Sequence, residues 1–322
     1  MGEKKNMCFR NSAKLLFSLF NTAYKVVLYR IVMFVIIGTL SYLTISPFVI
    51  DFLKSGEVRS FFDAVRDFIG AFFTEDNYSY HYDRMQDALS SIGKLLKNNV
   101  GKLSLTIVLA VFYTALAYFL NGIANYTVGQ TYNWYMTSCS KLPFTSNLIR
   151  KLGKAIKYQL IVILFKLPFT MILIALALAG FIFLTQAIGP IALMLTMVLI
   201  IMGFAFESTV FCCFLPTYVV EEGKVFSCFF RSVKLSFKKF WRIFSNFITC
   251  AVVCITLNVA IGVCTLGAGL ILTIPLSLMI MTGISFTNYY SLTDKKYYLD
   301  YDSIVVPKNL REEEKILEKI DI

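Results

Sequence analysis

Two charged residues lie deep inside apolar stretches of this sequence, Lys166 in LFKLPFT and Glu207 in FAFESTV. A charge in the hydrocarbon core of a bilayer costs a few kcal/mol, so such residues mark functional sites by default. Pro168 has no backbone N–H and leaves a carbonyl free for another partner. Lys166, Glu207 and Pro168 therefore form a candidate intramembrane polar site.

The two charges have two open interpretations. In the first, Lys166 pairs with Glu207 across two neighbouring antiparallel spans and lines a site for a small solute or a lipid. In the second, the Lys166 side chain extends to the headgroups, and the Glu207 carboxylate lies in a vestibule open to the cytosol.

The elements that carry these residues are predicted to be membrane helices. Hydrophobic residues make up 57% of the 322 positions and charged residues only 16%, whereas soluble domains average about 25% charged. Apolar runs of about 20 residues are long enough to cross a bilayer. The sequence predicts an all-α integral membrane protein with six transmembrane helices in three hairpins, forming one polytopic domain over residues 1–288. The predicted spans are 28–50, 104–126, 160–184, 189–214, 245–264 and 268–288.

The distribution of basic residues predicts the orientation, because lysine and arginine are retained on the cytoplasmic side. Of the 31 Lys and Arg residues, 23 fall before span one, after spans two and four, and after span six. The segment 51–103 carries seven, together with eight acidic residues. Both termini are therefore predicted to be cytoplasmic, and the net charge of +11 requires no nucleic-acid partner.

Two segments outside the spans have patterns of their own. Residues 51–103 carry apolar residues at helical spacing, which indicates an extracytoplasmic amphipathic insertion. Residues 289–322 are predicted to be a cytoplasmic tail that ends in a short helix, NLREEEKILEKIDI. At the start of this tail, Tyr289, Tyr290, Tyr297, Tyr298 and Tyr301 are predicted to form an aromatic belt at the headgroups.

The segment CFFRSVKLSFKKFWRIF, residues 228–244, is both basic and aromatic. On a helix its aromatic side chains share one face and its cations fill most of the other, which is typical of a helix lying in the membrane interface. Nucleic-acid binding would require both groups to face the same partner. The segment therefore predicts binding to anionic lipid headgroups. The candidate contacts are Arg231, Lys234, Lys238, Lys239 and Arg242, with Lys14 in a similar N-terminal segment.

The N-terminal segment 8–20 resembles the segment 228–240, with seven of thirteen ungapped positions identical. Both copies precede an odd-numbered span, and a third basic stretch, 146–160, precedes span three. We therefore predict basic amphipathic interfacial helices before spans 1, 3 and 5. Chance similarity between two segments rich in Phe and Lys is the alternative.

The run LPTYVVEEGKVFSCFFRSVKLSFKKFWRIF, residues 215–244, resembles bacterial polytopic proteins related to the membrane domain of glycerophosphoryl diester phosphodiesterases and to the YciC-like family. The matching positions are Glu221, Glu222, Gly223, Arg231, Ser232, Leu235, Lys238, Phe240 and Trp241. The resemblance implies a multi-pass protein of the bacterial cytoplasmic membrane without catalytic residues in this domain. The sequence contains no catalytic phosphodiesterase barrel, and the insertion at 51–103 departs from the family pattern.

The chemistry-bearing residues predict no enzyme, no metal site and no cofactor, because no nucleophile with a base and no phosphate-binding glycine loop is found. The first hypothesis is a non-enzymatic membrane protein that binds anionic lipid and scaffolds a partner. The alternative is a small-solute or lipid-related transporter with its polar site between spans three and four. A protein partner, as in a larger membrane complex, or a homo-oligomer is compatible with either.

Overall fold

The computed structural model describes residues 7–74, 78–188 and 191–307. These residues are almost entirely helical. The helices are α1 (Met7–Ser18), α2 (Phe20–Lys54), α3 (Gly56–Thr74), α4 (Tyr78–Asn98), α5 (Val100–Ser138), α6 (Phe144–Arg150), α7 (Leu152–Ile188), α8 (Ile191–Phe211), α9 (Phe214–Glu221), α10 (Val225–Lys238), α11 (Phe240–Cys264) and α12 (Leu270–Leu292). The strands are β1 (Tyr297–Asp300) and β2 (Ser303–Val305).

The predicted all-α membrane class is confirmed. Within the described residues, six helical segments are long and apolar enough to cross a membrane, namely α2, α5, α7, α8 with α9, α11 and α12. Large apolar side chains on these helices point outwards: Leu176 is 64% exposed and Met194 75% exposed. Lipid tails are as apolar as leucine, so the hydrophobic effect does not favour burial of such side chains within a bilayer. The buried side chains instead include many tyrosine, threonine and asparagine residues.

A turn that contains a glycine with a positive φ joins α11 to α12. Helix α11 ends at Cys264, the predicted residue, and α12 begins at Leu270. Between them Gly267 has a φ of +90°. Glycine adopts this conformation readily because it has no Cβ, so GVCTLGAG closes the hairpin.

The chain divides into two compact units, residues 1–31 with 119–322, and residues 32–118. In the second unit α3 and α4 pack side by side. Arg84 Nη1 lies 2.6 Å from Asp67 Oδ2 across this pair. The predicted insertion is therefore two full helices of 19 and 21 residues, where the sequence indicated one helix and a second amphipathic turn.

Several helices continue beyond the predicted spans because their polar ends are buried in protein. Helix α5 runs to Ser138, whereas the predicted span ended at residue 126, and α12 runs past the predicted tail boundary at residue 289. The extra turns of α5 bury Tyr132 and Tyr135, and the Tyr132 hydroxyl donates to the Met279 carbonyl at 3.2 Å. Hydropathy falls where such residues begin, but the helix continues because their polar groups find partners inside the protein.

A short helix, a single turn residue and a long membrane helix follow one another at three places in the described part of the chain. The turn residues are Leu19 between α1 and α2, Lys151 between α6 and α7, and Lys239 between α10 and α11. Leu19 and Lys239 are 220 positions apart, the offset of the sequence repeat. The backbone bonds repeat too: the Ala23, Ala155 and Ile243 N–H groups donate to the carbonyls of these turn residues at 3.0, 3.0 and 3.2 Å.

Residues at equivalent positions of the three copies also have similar side-chain exposure. Two residues before the turn, Phe17, Ile149 and Phe237 are 73%, 69% and 56% exposed. Four residues after the turn, Ala23, Ala155 and Ile243 are buried to 1% exposure or less. This register includes the segment 146–160, whose identities were too few to align. The three turns therefore share this local pattern, which sequence identities mark in two of the copies.

Residues 287–290, Thr-Asn-Tyr-Tyr, are fully buried near the end of α12, and we call them the α12 junction. Its side chains form hydrogen bonds with four other helices. Thr287 Oγ1 bonds with Ser12 Oγ of α1 at 3.4 Å, and Asn246 Nδ2 of α11 donates to Asn288 Oδ1 at 3.0 Å. The Tyr289 hydroxyl donates to Glu221 Oε1 of α9 at 3.0 Å, and the Tyr290 hydroxyl donates to Asn133 Oδ1 of α5 at 2.8 Å. The predicted aromatic belt is thus wrong for Tyr289 and Tyr290, whose hydroxyls are held inside the protein.

The residues after α12 cover α1. Strands β1 and β2 pair in antiparallel fashion, and β1 packs on α1. Asn11 Nδ2 donates to the Tyr297 hydroxyl at 3.1 Å, and Ser18 Oγ donates to the Leu299 carbonyl at 3.3 Å. Tyr297 is therefore also buried, contrary to the predicted belt. The predicted helix over residues 309–322 lies outside the described residues.

Gly283 allows α1 to approach α12, and we expect Gly283→Leu to destabilise the protein. A Cβ at this position would lie 3.2 Å from Ser12 Cβ and 3.5 Å from Ser12 Cα, and overpacking of this kind costs about 1–3 kcal/mol. Thermal unfolding of the purified protein measures the loss. Gly180→Leu is the matched control, because a Cβ at Gly180 would meet nothing within 4 Å. Equal unfolding temperatures for the two variants would contradict this packing.

Candidate functional site

Lys166 of α7 and Glu207 of α8 form an ion pair within the membrane-spanning segments. Lys166 Nζ lies 3.3 Å from Glu207 Oε1. The Glu207 side chain is 7% exposed and the Lys166 side chain 30% exposed. The structure thus has the paired arrangement, and Glu207 does not lie in an open vestibule. The lysine places an opposite charge beside a carboxylate that is almost completely buried.

Pro168 lies two residues after Lys166 inside α7, which continues unbroken to Ile188. The missing N–H of Pro168 removes one backbone bond from this part of the helix. Thr170 Oγ1 donates to the Lys166 carbonyl at 2.9 Å, so one nearby carbonyl gains a second donor. The carbonyl that loses its backbone donor to Pro168 is that of Leu164, four residues earlier, and α7 continues through the proline.

Aromatic rings surround the positions next to the ion pair. Phe169 of α7 stacks on Phe206 of α8 with ring centroids 5.9 Å apart. Phe206 also contacts Phe240, at the start of α11, with centroids 5.6 Å apart. These rings hold α7, α8 and α11 together around the pair. The arrangement links α7 and α8 by one charge contact.

The predicted headgroup contacts divide into two groups. Arg231 Nη1 lies 3.0 Å from Glu221 Oε2, the carboxylate that also accepts from the α12 junction. Arg242 Nη2 donates to Ser291 Oγ at 3.2 Å. Both arginines are therefore engaged within the protein. The remaining candidates, Lys14, Lys234, Lys238 and Lys239, are exposed.

The aromatic face of α10 is only partly directed outwards. Phe229 is buried and stacks on Phe165 of α7 with centroids 4.3 Å apart. Phe230, Phe237 and Trp241 are 63%, 56% and 78% exposed. The sequence indicated a single apolar face for lipid. In the structure Phe229 anchors α10 to the protein, and the exposed rings extend beyond this anchor.

A pocket with a volume of about 320 Å³ lies where α7, α9 and α10 meet. We call it the lysine pocket, and it is lined by Lys154, Lys157, Tyr218, Glu222, Gly223, Lys224 and Val225. Glu222 Oε1 lies 2.7 Å from Lys154 Nζ and 3.6 Å from Lys151 Nζ. Glu222 has a left-handed backbone, with φ of 48°, at the end of α9.

Electrostatics keep the pocket cationic. The hydrogen bond and charge of Lys154, with the charge of Lys151, hold the pKa of Glu222 below its ordinary value. The carboxylate is therefore ionised at neutral pH. One negative charge faces three lining ammonium groups and the nearby Lys151. Sequence reasoning counted the lysines only in the topology signal and named Glu222 and Gly223 only in the family resemblance, because the pocket residues come from three separate helices.

Arg30 is a membrane-segment charge that the sequence interpretation assigned only to the edge of span one. Its Nη2 lies 2.5 Å from Asn125 Oδ1 of α5, and its Nη1 lies 3.0 Å from the Pro275 carbonyl of α12. Ion pairs within the described residues do not include Arg30. Arg30 lies inside predicted span one, and Asn125 lies inside predicted span two. A cation and an amide in two different spans were the sequence signal for this interhelical contact.

All eight cysteines lie in the described part of the chain and are free thiols; Cys264 is exposed and the others are buried. Burial raises the pKa of Cys8 and Cys228, so these thiols are protonated at neutral pH. Among residues 7–74, 78–188 and 191–307, the structure has no group of three His, Cys, Asp or Glu side chains suited to a metal ion.

Comparisons of this chain with protein-family models, curated proteins and solved structures found no match. The resemblance of residues 215–244 to a bacterial membrane family therefore stays a prediction.

We expect Lys166→Met to destabilise the protein by about 2–3 kcal/mol, because it leaves the Glu207 carboxylate buried and unpaired. Breaking a fully buried pair costs about 3–5 kcal/mol, and the partial exposure of Lys166 reduces this. The double variant with Glu207→Gln should recover most of the loss, since no charge is then left alone. Thermal unfolding in detergent measures all three proteins. If Lys166→Met unfolds like the wild type, the pair has no structural role.

Proposed function

We propose that this chain is a non-enzymatic scaffold protein of the bacterial cytoplasmic membrane whose short helices α1, α6 and α10 lie at the cytoplasmic surface and bind anionic lipid. The observation that carries the proposal is the threefold unit of short helix, turn residue and long membrane helix. In every copy an apolar side chain, Phe17, Ile149 or Phe237, points away from the protein just before the membrane helix begins. A side chain at this level meets the boundary between acyl chains and headgroups.

The exposed lysines support the same placement. Lys14 on α1 and Lys234 on α10 occupy equivalent positions of the repeat, and both are exposed. Lys238 and Lys239 adjoin the exposed ring of Phe237. Cations beside an apolar anchor are favourable at an anionic membrane surface, where each contributes about 1 kcal/mol. Arg231 of α10 pairs with Glu221 and Arg242 of α11 donates to Ser291, so we assign lipid binding to these lysines.

We expect Lys234→Gln with Lys238→Gln to weaken binding of phosphatidylglycerol by up to about 30-fold, from about 1 kcal/mol for each lysine. Native mass spectrometry of the purified protein, titrated with phosphatidylglycerol and then with phosphatidylcholine, measures the two affinities. The matched control is Lys94→Gln with Lys97→Gln, an equal change of charge at exposed positions of α4. An equal loss in both double variants, or in neither, would refute lipid binding by α10.

The second proposal is a transporter for a small solute or a lipid, with its polar site at Lys166 and Glu207. The supporting observation is their contact at 3.3 Å between two adjacent apolar helices, since intramembrane charge pairs mark substrate paths in many membrane proteins. Pro168 lies beside this pair in α7. On this hypothesis a solute would displace one of the two charges from the other.

Glu207→Gln separates the two proposals. A panel of phosphate, amino-acid and sugar solutes is tested for its effect on the unfolding temperature of the wild type and of Glu207→Gln. A transporter site predicts a solute that stabilises the wild type and has no effect on a variant that is itself normally stable. If no solute distinguishes the two proteins, the ion pair is structural and the transporter proposal fails.

A further inference from the structure

The lysine pocket combines a cavity with an excess of cationic donors. Its volume of about 320 Å³ falls at the small end of the roughly 300–1,000 Å³ typical of ligand sites. Lys154, Lys157 and Lys224 contribute three ammonium groups to its walls, and Glu222 contributes the one carboxylate. The pocket can therefore accept at least one more negative charge without becoming anionic.

The carboxylate of Glu222 occupies the position beside Lys154 that an anionic ligand would take. It lies 2.7 Å from Lys154 Nζ and 3.6 Å from Lys151 Nζ, yet its side chain is 58% exposed. An exposed pair of this kind contributes little to stability, so a ligand with stronger charge can replace it. Lys157 and Lys224, on the same walls, are exposed and are available to the incoming group.

The start of α10 favours the same kind of ligand. Gly223, Lys224 and Val225 lie on the pocket wall, and α10 begins at Val225. The first turn of α10 contains no acidic residue, and the side chain of Lys224 makes no capping hydrogen bond. Backbone N–H groups at a helix start are orphan donors that favour an anion. They add to the lysines, which on their own already define the pocket.

We propose that the lysine pocket binds the phosphate group of an anionic lipid headgroup, which takes the place of the Glu222 carboxylate beside Lys154. Lysine ammonium groups bind phosphate as compact point charges and do not require a planar partner. The inference rests on the proposed function, because it requires this end of the bundle to lie at the headgroups. The same chemistry would also accept free phosphate, and the experiment separates these two sources.

Two sets of substitutions test the pocket in opposite directions. Lys157→Gln with Lys224→Gln removes two donors and leaves the Lys154 contact with Glu222 intact, so we expect phosphate binding to weaken about tenfold or more, as for the loss of two charge-assisted bonds. Glu222→Gln removes the competing charge at nearly constant shape, so we expect binding to tighten about threefold to tenfold. The control is again Lys94→Gln with Lys97→Gln.

The measurement is calorimetric titration of the purified full-length protein and its variants in a neutral detergent. The probes are dihexanoyl phosphatidic acid and, separately, inorganic phosphate. Binding of the lipid alone identifies a headgroup site, and comparable binding of inorganic phosphate identifies a site for the free anion; both support phosphate recognition by the pocket. No binding of either probe, or affinities that do not change in the expected directions, would overturn the proposal.

The pocket and the proposed function can fail separately. In one outcome, the double variant Lys157→Gln with Lys224→Gln loses phosphate binding, while Lys234→Gln with Lys238→Gln keeps the wild-type affinity for phosphatidylglycerol. The proposed pocket is then supported, and lipid binding by α10 is refuted. The reverse pattern overturns the pocket and leaves lipid binding by α10 in place.

Discussion

The buried hydrogen bonds of the α12 junction are the constraint on which the first unit depends. Lipid offers no partners for polar groups, so a helix bundle must satisfy them internally. Thr287, Asn288, Tyr289 and Tyr290 do this with four different helices, α1, α11, α9 and α5. The junction thereby fixes the ends of helices whose middles expose apolar surface to lipid. Packing against α12 at Gly283 then determines where α1 lies.

The repeated turn follows from this constraint. A short helix that packs on the bundle must pass into a membrane helix without losing its buried face. At Leu19, Lys151 and Lys239 one turn residue achieves this, and backbone bonds still cross the turn. The buried face continues into the long helix, while an apolar side chain two residues earlier is left outside. The same local geometry thus joins α1, α6 and α10 to the long membrane helices that follow them.

The sequence was sufficient for the membrane class, because runs of about 20 apolar residues have no other common explanation. It was insufficient for helix ends, since the polar turns of α5 are stabilised by distant partners such as Met279. The repeat with an offset of 220 residues was visible in the sequence as identical residues. The turns at Leu19, Lys151 and Lys239 were not visible, because none of these residues is a glycine or a proline. Of the site residues, Lys166 and Glu207 were found by their depth, but their pairing and the lysine pocket required three-dimensional proximity.

Two carboxylates in this protein show how burial decides the role of the same chemistry. Glu207 and Glu222 each lie within hydrogen-bonding or ion-pairing distance of a lysine, at 3.3 and 2.7 Å. The Glu207 side chain is 7% exposed, so separating it from Lys166 would leave a buried charge. The Glu222 side chain is 58% exposed, so water stabilises it when Lys154 is taken by another anion. The shorter contact is therefore the more replaceable one. This difference favours a structural role for the pair between α7 and α8, and it makes the lysine pocket the better candidate for reversible binding.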